Sequence, residues 1–465
     1  VERVPLTKEE RLDRLDARSI FLAVEGGDVF EQLRRGRERR RIGRRQASRR
    51  RGRLGGKRLR LRLAEATGTA HRDNFSRRGG GFGHPAHASH AMSFSDGELG
   101  QLLCCGWRDD EHAERLLTEL HVGGLILFGR NLRPLPALAR QLQEWQARAP
   151  APLFVAVDQE GGAVSRFADP GLAFPGQMAL GALGCPETAR RVARAIGIQL
   201  RAIGFNVDFA PVLDVNANPA NPVIGLRSFG DDPERVAALG VAAAAGFAEA
   251  GILPVGKHFP GHGDTAVDSH FDLPVQPAGR ERLDRVELVP FRAAIAAGIP
   301  ALMTAHLLFP ALDPIWPATL SPRLLTRLLR EELGFDGLLF TDCLEMAGVA
   351  AHWSPEERGW RALAAGADVL LVSHTWETQR RVLAGVKEAL ADGRLPSERV
   401  RAALNRIATA KARLAATSPP LDRVSAPEFR ALEADVAACA ITVAAGGDRL
   451  PLPLGGRVLC CAEES

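Results

Sequence analysis

Eight short apolar runs, each separated from the next by a longer mixed stretch, constrain this chain more than any other feature. They are LGQLLCCG (99–106), VGGLILF (122–128), PLFVAVD (152–158), FNVDFAPVLDV (205–215), ILPVGKH (252–258), ALMTAH (301–306), GLLFTD (337–342) and ADVLLVS (367–373). Each is apolar almost throughout, without the in–out alternation of a half-exposed strand, which is the pattern of strands buried on both faces of a parallel sheet. Between them lie segments of helical periodicity, such as PETARRVARAIGIQLRAIG (186–204), PERVAALGVAAAAGFAEAG (233–251) and SPRLLTRLLREELG (321–334). Several open with Ser or Asp beside Pro and close on Gly, the start and stop chemistry of helices. Strands alternating with helices predict a parallel sheet covered by helices, and eight such units predict an α/β fold of the (β/α)8 TIM type with enlarged loops.

The polar residues support the same arrangement independently. Asp158, Asp214, Lys257 with His258, His306, Asp342 and Ser373 each fall at or just after the C-terminal end of an expected strand. In a barrel these ends face one another around a single mouth, where ligand sites form. The most crowded of them is KHFPGHGDTAVDSH (257–270), with three histidines, two aspartates and a lysine in fourteen residues. Phe-Pro-Gly-His-Gly cannot continue a strand or a helix, so Asp268 and His270 belong to a loop over the mouth. An Asp two residues before a His can reach its imidazole in a turn, fix its tautomer and stabilise its protonated form, giving a proton donor and acceptor near neutral pH. Zinc binding or a solvated polar loop are the other uses of such residues, but HxxxxxDxH matches no compact zinc-ligand spacing.

Charge divides the chain. The formal net charge is +5, yet residues 1–91 carry 24 Lys and Arg against 11 Asp and Glu, a net +13, and the remainder carries 36 against 44, a net −8. The run 34–62 holds 16 basic residues against Glu38 alone. Such a run repels itself and buries little, so disorder is expected. A basic arm of this kind could bind nucleic acid by counterion release, though it has no aromatic interleaving and no nucleic-acid-binding motif. We expect residues 1–91 to be an extension upstream of Met92, where globular patterning begins, and 92–416 to be the barrel. SPPLDRVSAP lies in a linker over 417–427, and 428–465 reads as the opening of a further α/β domain, with GRVLCC as a strand. No run of 18 apolar residues predicts a membrane span. Seven cysteines without metal-ligand spacing predict reduced thiols and, with no secretory pattern at the N-terminus, a cytoplasmic setting; a different native N-terminus would allow export.

With these residues on the page, the chain resembles glycoside hydrolase family three, and the DSH ending of KHFPGHGDTAVDSH resembles that family's β-N-acetylglucosaminidase branch. GFDGLLFTDCLEMAGV (334–349) is similar to the segment where the family places its nucleophile, and VGGLILFGRN, VAVDQEGGAVSRF, DFAPVLDV and IGLRSFGDDP match in order. The likeness covers residues 99 to 416 and the start of a second domain, not 1–91. It implies a retaining exo-β-N-acetylglucosaminidase acting on GlcNAc-containing fragments such as muropeptides. Asp342 would be the nucleophile, and His270 oriented by Asp268 the acid/base in place of the second carboxylate usual in retaining glycosidases. The sugar would be held by Asp158, Arg166, Arg227, Lys257 and His258. No metal and no cofactor are implied, and the expected partner is a small carbohydrate, not nucleic acid or membrane. His262 and Asp264 read as loop architecture and Met346 as packing beneath the nucleophile. A β-glucosidase or a glycoside phosphorylase of the same family, and a nucleic-acid-binding protein led by its basic arm, are the alternatives.

Overall fold

The computed structural model of the chain describes residues 21–24, 93–167, 173–414, 417–441 and 458–461. The chain forms two compact units, Val1–His90 with Ala445–Ser465 and, separately, Ala91–Ala444. In the first, strand Phe21–Val24 pairs antiparallel with Val458–Cys461, Phe21 opposite Cys461. The basic run 34–62 and the segment after Ile441 up to 457 lie outside the described residues.

The second unit is built on eight parallel strands: β1 Leu103–Gly106, β2 Gly124–Leu127, β3 Phe154–Val157, β4 Val207–Asp208, β5 Leu253–Phe259, β6 Ala301–Thr304, β7 Leu338–Phe340 and β8 Leu370–Val372. They follow one another around the sheet in chain order, β8 pairs β1, and a parallel bridge from Phe340 to Val369 joins the two remaining edges. This is the (β/α)8 barrel that the eight apolar runs predict. Every strand residue is buried, which explains why no alternation is visible in the sequence. Inside the barrel, Phe340 meets Phe154 and Phe209 edge-on at centroid distances of 5.8 and 5.4 Å. Truncating Phe340 to Ala would cost about 3–5 kcal/mol through the cavity left there.

Two of the apolar runs are not strands along their whole length. Residues 99–100 close a helix, Asp96–Gly100, because Ser95 and Glu98 form a reciprocal capping box that starts helical winding before the apolar residues begin. In 205–215 the regular strand covers only Val207–Asp208, and pairing resumes as an isolated parallel bridge between Val212 and Lys257. Pro211 has no N–H to give, and the side chain of Gln177 caps the next residue, accepting from Val212 N–H at 2.9 Å and donating to its carbonyl at 2.9 Å.

Helices Pro186–Ile203 and Pro233–Glu249 pack against each other outside the barrel. A Cβ on Gly246 would fall 2.1 Å from the Arg190 carbonyl oxygen, so their approach requires glycine there. The segment expected as a linker is pinned to the first of these helices. Arg201 donates to the Thr417 carbonyl at 2.8 Å and Gln199 to that of Val424 at 2.8 Å. Helix Pro427–Cys439 belongs to the same unit as the barrel, with Phe429, Leu432 and Val436 buried. Among the described residues no helix is long and apolar enough to cross a membrane.

Candidate active site

The bed of the barrel mouth is a buried network of charges. Asp158 follows β3 and accepts from Lys257 Nζ at 2.9 Å and Arg166 Nη2 at 3.1 Å. Glu160, two residues further on, takes Arg227 in a two-point clasp at 2.9 and 2.8 Å and Lys257 Nζ at 2.6 Å. Successive residues on a strand ordinarily face opposite ways. Both Lys257 and His258 nevertheless reach the mouth, where the register of β5 against β6 shifts between Gly256 and Phe259. Burial opposes the charge on Asp158 and Glu160, but the cations outweigh it: Lys257 and Arg166 for the first, Arg227 and Lys257 for the second. Both carboxyls are therefore held below the usual range. Lys257 is likewise raised, burial being overcome by Asp158 and Glu160.

Asp214, fully buried after β4, organises the next layer. Its carboxylate accepts from His258 Nδ1 at 2.7 Å, from the His258 N–H at 3.2 Å and from the His262 N–H at 2.7 Å. With Nδ1–H committed to Asp214, His258 presents Nε2 toward Arg227 Nη2 at 3.4 Å.

Asp342 lies two residues beyond the end of β7. Its Oδ1 accepts the Cys343 N–H at 2.7 Å, and Oδ2 has no hydrogen-bond partner among the described residues. Burial works against its charge, but His306, His258, the Cys343 N–H and Lys257 together hold the carboxyl below the usual range. At neutral pH it is an ionised carboxylate with one free oxygen, which is what a nucleophile requires. His306 beside it bonds the Cys343 carbonyl through Nε2 at 2.9 Å and Thr319 Oγ1 through Nδ1 at 2.8 Å. Burial lowers its pKa, and its two hydrogen bonds brace the turn that carries Asp342.

His270 and Asp268 sit on the loop that follows β5. Asp268 Oδ1 accepts from both the His270 backbone N–H and Nδ1, each at 2.8 Å. The His270 side chain is 57% exposed and that of Asp268 22%, so the pair faces the open mouth and Nε2 is left to exchange protons with a ligand. The loop is anchored rather than draped over the mouth. The Gly348 N–H, on the segment after Asp342, donates to the Ser269 carbonyl at 3.0 Å.

A free-oxygen aspartate at one strand end, a His–Asp pair on a loop bonded to the segment after it, and a charged bed narrow the families to which the chain could belong. The profile of the glycosyl hydrolase family 3 N terminal domain matches residues 95–410. The chain belongs to glycosyl hydrolase family 3. It is 38% identical over 368 residues to beta-hexosaminidase A of Pseudoalteromonas piscicida, a match covering 72% of this chain and 62% of that relative's length. A beta-hexosaminidase of Thiobacillus denitrificans is 44% identical over 282 residues, 59% of this chain and 77% of its own. Among solved structures, the family 3 β-N-acetylglucosaminidase from a Paenibacillus species superposes with a TM-score of 0.72 at 44% identity, covering 75% of this chain and 69% of that one.

Within this family 3 barrel the residues singled out in the sequence fall into connected groups. Asp158, Arg166, Arg227, Lys257 and His258 form one continuous network, and Asp342 lies within electrostatic reach of His258 and Lys257. His270 is paired with Asp268 and near enough to His306 for its charge to act there. Met346 is buried in the turn after Asp342. Sequence reasoning missed Glu160, the hub that joins Arg227 to Lys257. The signal available was an acidic residue two positions beyond a strand-ending aspartate, in DQEGG. It also left the role of Asp214 open, and that carboxylate proves to orient His258.

Proposed function

We propose that the chain is a retaining exo-β-N-acetylglucosaminidase. The observation that carries this reading is the exposed His270–Asp268 pair, on a loop bonded to the segment after an ionised Asp342 with one uncommitted oxygen. In the first step Asp342 Oδ2 attacks the anomeric carbon as the glycosidic bond breaks, and His270 Nε2–H gives its proton to the departing oxygen. In the second, neutral Nε2 takes a proton from water as that water attacks the same carbon and the aspartyl bond breaks. Two inversions give net retention. Asp268 keeps Nδ1–H bonded throughout, so the proton moves only at Nε2.

Asp158, held by two cations, can accept from sugar hydroxyls, and Arg166, Arg227, Lys257 and His258 can donate to hydroxyl and acetamido oxygens. The relatives' names support an N-acetylhexosamine at this position, and fragments of peptidoglycan are the natural substrates we infer. The test is to follow the first-formed sugar by proton NMR with 4-nitrophenyl β-GlcNAc and 4-nitrophenyl β-glucoside. The reading expects β-GlcNAc as the first product and little turnover of the glucoside. Initial release of the α-anomer, or preference for glucose, would refute it.

A further inference from the structure

Ser269 lies between the two acid/base residues, Asp268 and His270, yet nothing in the chemistry above uses it. Its side chain is buried, with 2% of its surface exposed, whereas His270 beside it stands in the open mouth. Its hydroxyl meets His262 Nε2 at 3.0 Å. The protons in this cluster can be assigned. Thr265 Oγ1 donates its one proton to the His262 carbonyl at 3.1 Å, so at the 2.9 Å contact between Thr265 Oγ1 and His262 Nδ1 the imidazole is the donor. Nε2 then carries the lone pair and receives the Ser269 hydroxyl proton. This needs a neutral imidazole, and burial, helped by the adjacent His258, pushes His262 down to about 4.

The other side of Ser269 is held as firmly. Its carbonyl accepts the Gly348 N–H at 3.0 Å, and a Cβ on Gly348 would stand 3.1 Å from that oxygen and 3.3 Å from the Asp272 carbonyl oxygen. The acid/base loop is thus seated against the chain just after Asp342. His262, in turn, gives its N–H to the Asp214 carboxylate that orients His258. One chain of hydrogen bonds runs from a sugar-facing histidine through Asp214, His262 and Ser269 to the segment after the nucleophile.

We propose that Ser269 is a positioning residue for proton transfer: gripped by His262 through its hydroxyl and by Gly348 through its carbonyl, it sets His270 over the bond to be cleaved. This rests on the reading of His270 as the acid/base. A group held loosely by an ångström loses about 100-fold in rate, and that loss must appear where proton donation matters. Ser269→Ala, His262→Phe and Gly348→Ala attack the clamp from three sides. Each should lower kcat/KM on N,N′-diacetylchitobiose about 10- to 100-fold while staying within about 3-fold on 2,4-dinitrophenyl β-GlcNAc, whose leaving group departs unaided. The Ser269→Ala/His262→Phe double variant should lose no more than the worse single, because both remove one interaction. Amide hydrogen exchange over residues 266–272 should quicken in all of them.

Equal losses on both substrates, no loss on either, or multiplying losses in the double variant would overturn the proposal. So would unchanged exchange in the loop, whatever the rates, and this readout remains usable if a variant is too unstable for kinetics. A wild-type chain that releases no GlcNAc from either substrate overturns the reading of function and the positioning role of Ser269 with it. Unchanged exchange in an active chain removes the clamp alone.

Discussion

Replacing Glu160 by Gln tests the charged bed that we propose holds the sugar. The side chains involved are 1% exposed for Glu160, 3% for Lys257 and 17% for Arg227, so the cluster is in the buried regime where losing one partner strands the others. Breaking such a pair costs about 3–5 kcal/mol, against 1 or less for an exposed one. Gln keeps the shape and one acceptor oxygen, which places the expected loss near the low end, about 3 kcal/mol. For a domain this large, that is a fall in Tm of roughly 6–10 °C. The pH dependence has a definite sign. The Glu160 carboxyl is held far below its ordinary 4.5, so its stabilisation is fully present above that value and fades as pH falls further. The gap in Tm between wild type and variant should be constant from pH 6 to 8 and narrow below about pH 4. Thermal melts over that range, with KM for 4-nitrophenyl β-GlcNAc at neutral pH, provide the assay. A loss under about 1 kcal/mol with unchanged KM would show that the network is no stronger than a surface ion pair.

Other outcomes follow from the same geometry. Asp342→Asn should reduce turnover by at least about 10⁴-fold on every substrate, since a carboxamide cannot form the glycosyl intermediate; comparable losses should appear with good and poor leaving groups. In kcat/KM, which reports the glycosylation step, His270→Ala should lose about 10²- to 10⁴-fold on chitobiose and little on the dinitrophenyl glycoside, with Asp268→Ala between it and wild type. Lys411, buried under the barrel with its Nζ 2.7 Å from Gln101 Oε1, has its pKa pushed down to about 7 by burial. Below that pH the folded state holds a buried cation, and stability should rise as pH goes from 7 toward 10.5 because the unfolded chain then binds the extra proton. Lys411→Met should therefore raise Tm at pH 7 by an amount that shrinks at pH 10, which melts at the two pH values will check.

The barrel was legible because its strands are buried on both faces and so read as unbroken apolar runs. The reading failed where a local signal overrode apolarity. Ser95 and Glu98 wind a helix into the start of the first run, and Pro211 with Gln177 interrupts the run beyond β4. In the site, Asp268 and His270 are two residues apart, so their pairing could be inferred from the chain itself. Glu160 meets Arg227 across 67 residues, and Asp214 meets His258 across 44. Such partnerships exist only once the strands are side by side, and no local pattern encodes them. His262 is similar: its neighbours in the loop are visible in sequence, but its burial, neutrality and hold on Ser269 follow from packing.

The most direct test of the central claim is to trap the intermediate. A 5-fluoro-N-acetylglucosaminyl fluoride, whose fluorine slows hydrolysis of the ester, should inactivate the chain with one equivalent bound. Peptide mass spectrometry should then find the added sugar on Asp342. An adduct on any other side chain, such as Glu345, or turnover with α-GlcNAc as the first product and no adduct at all, would contradict the account.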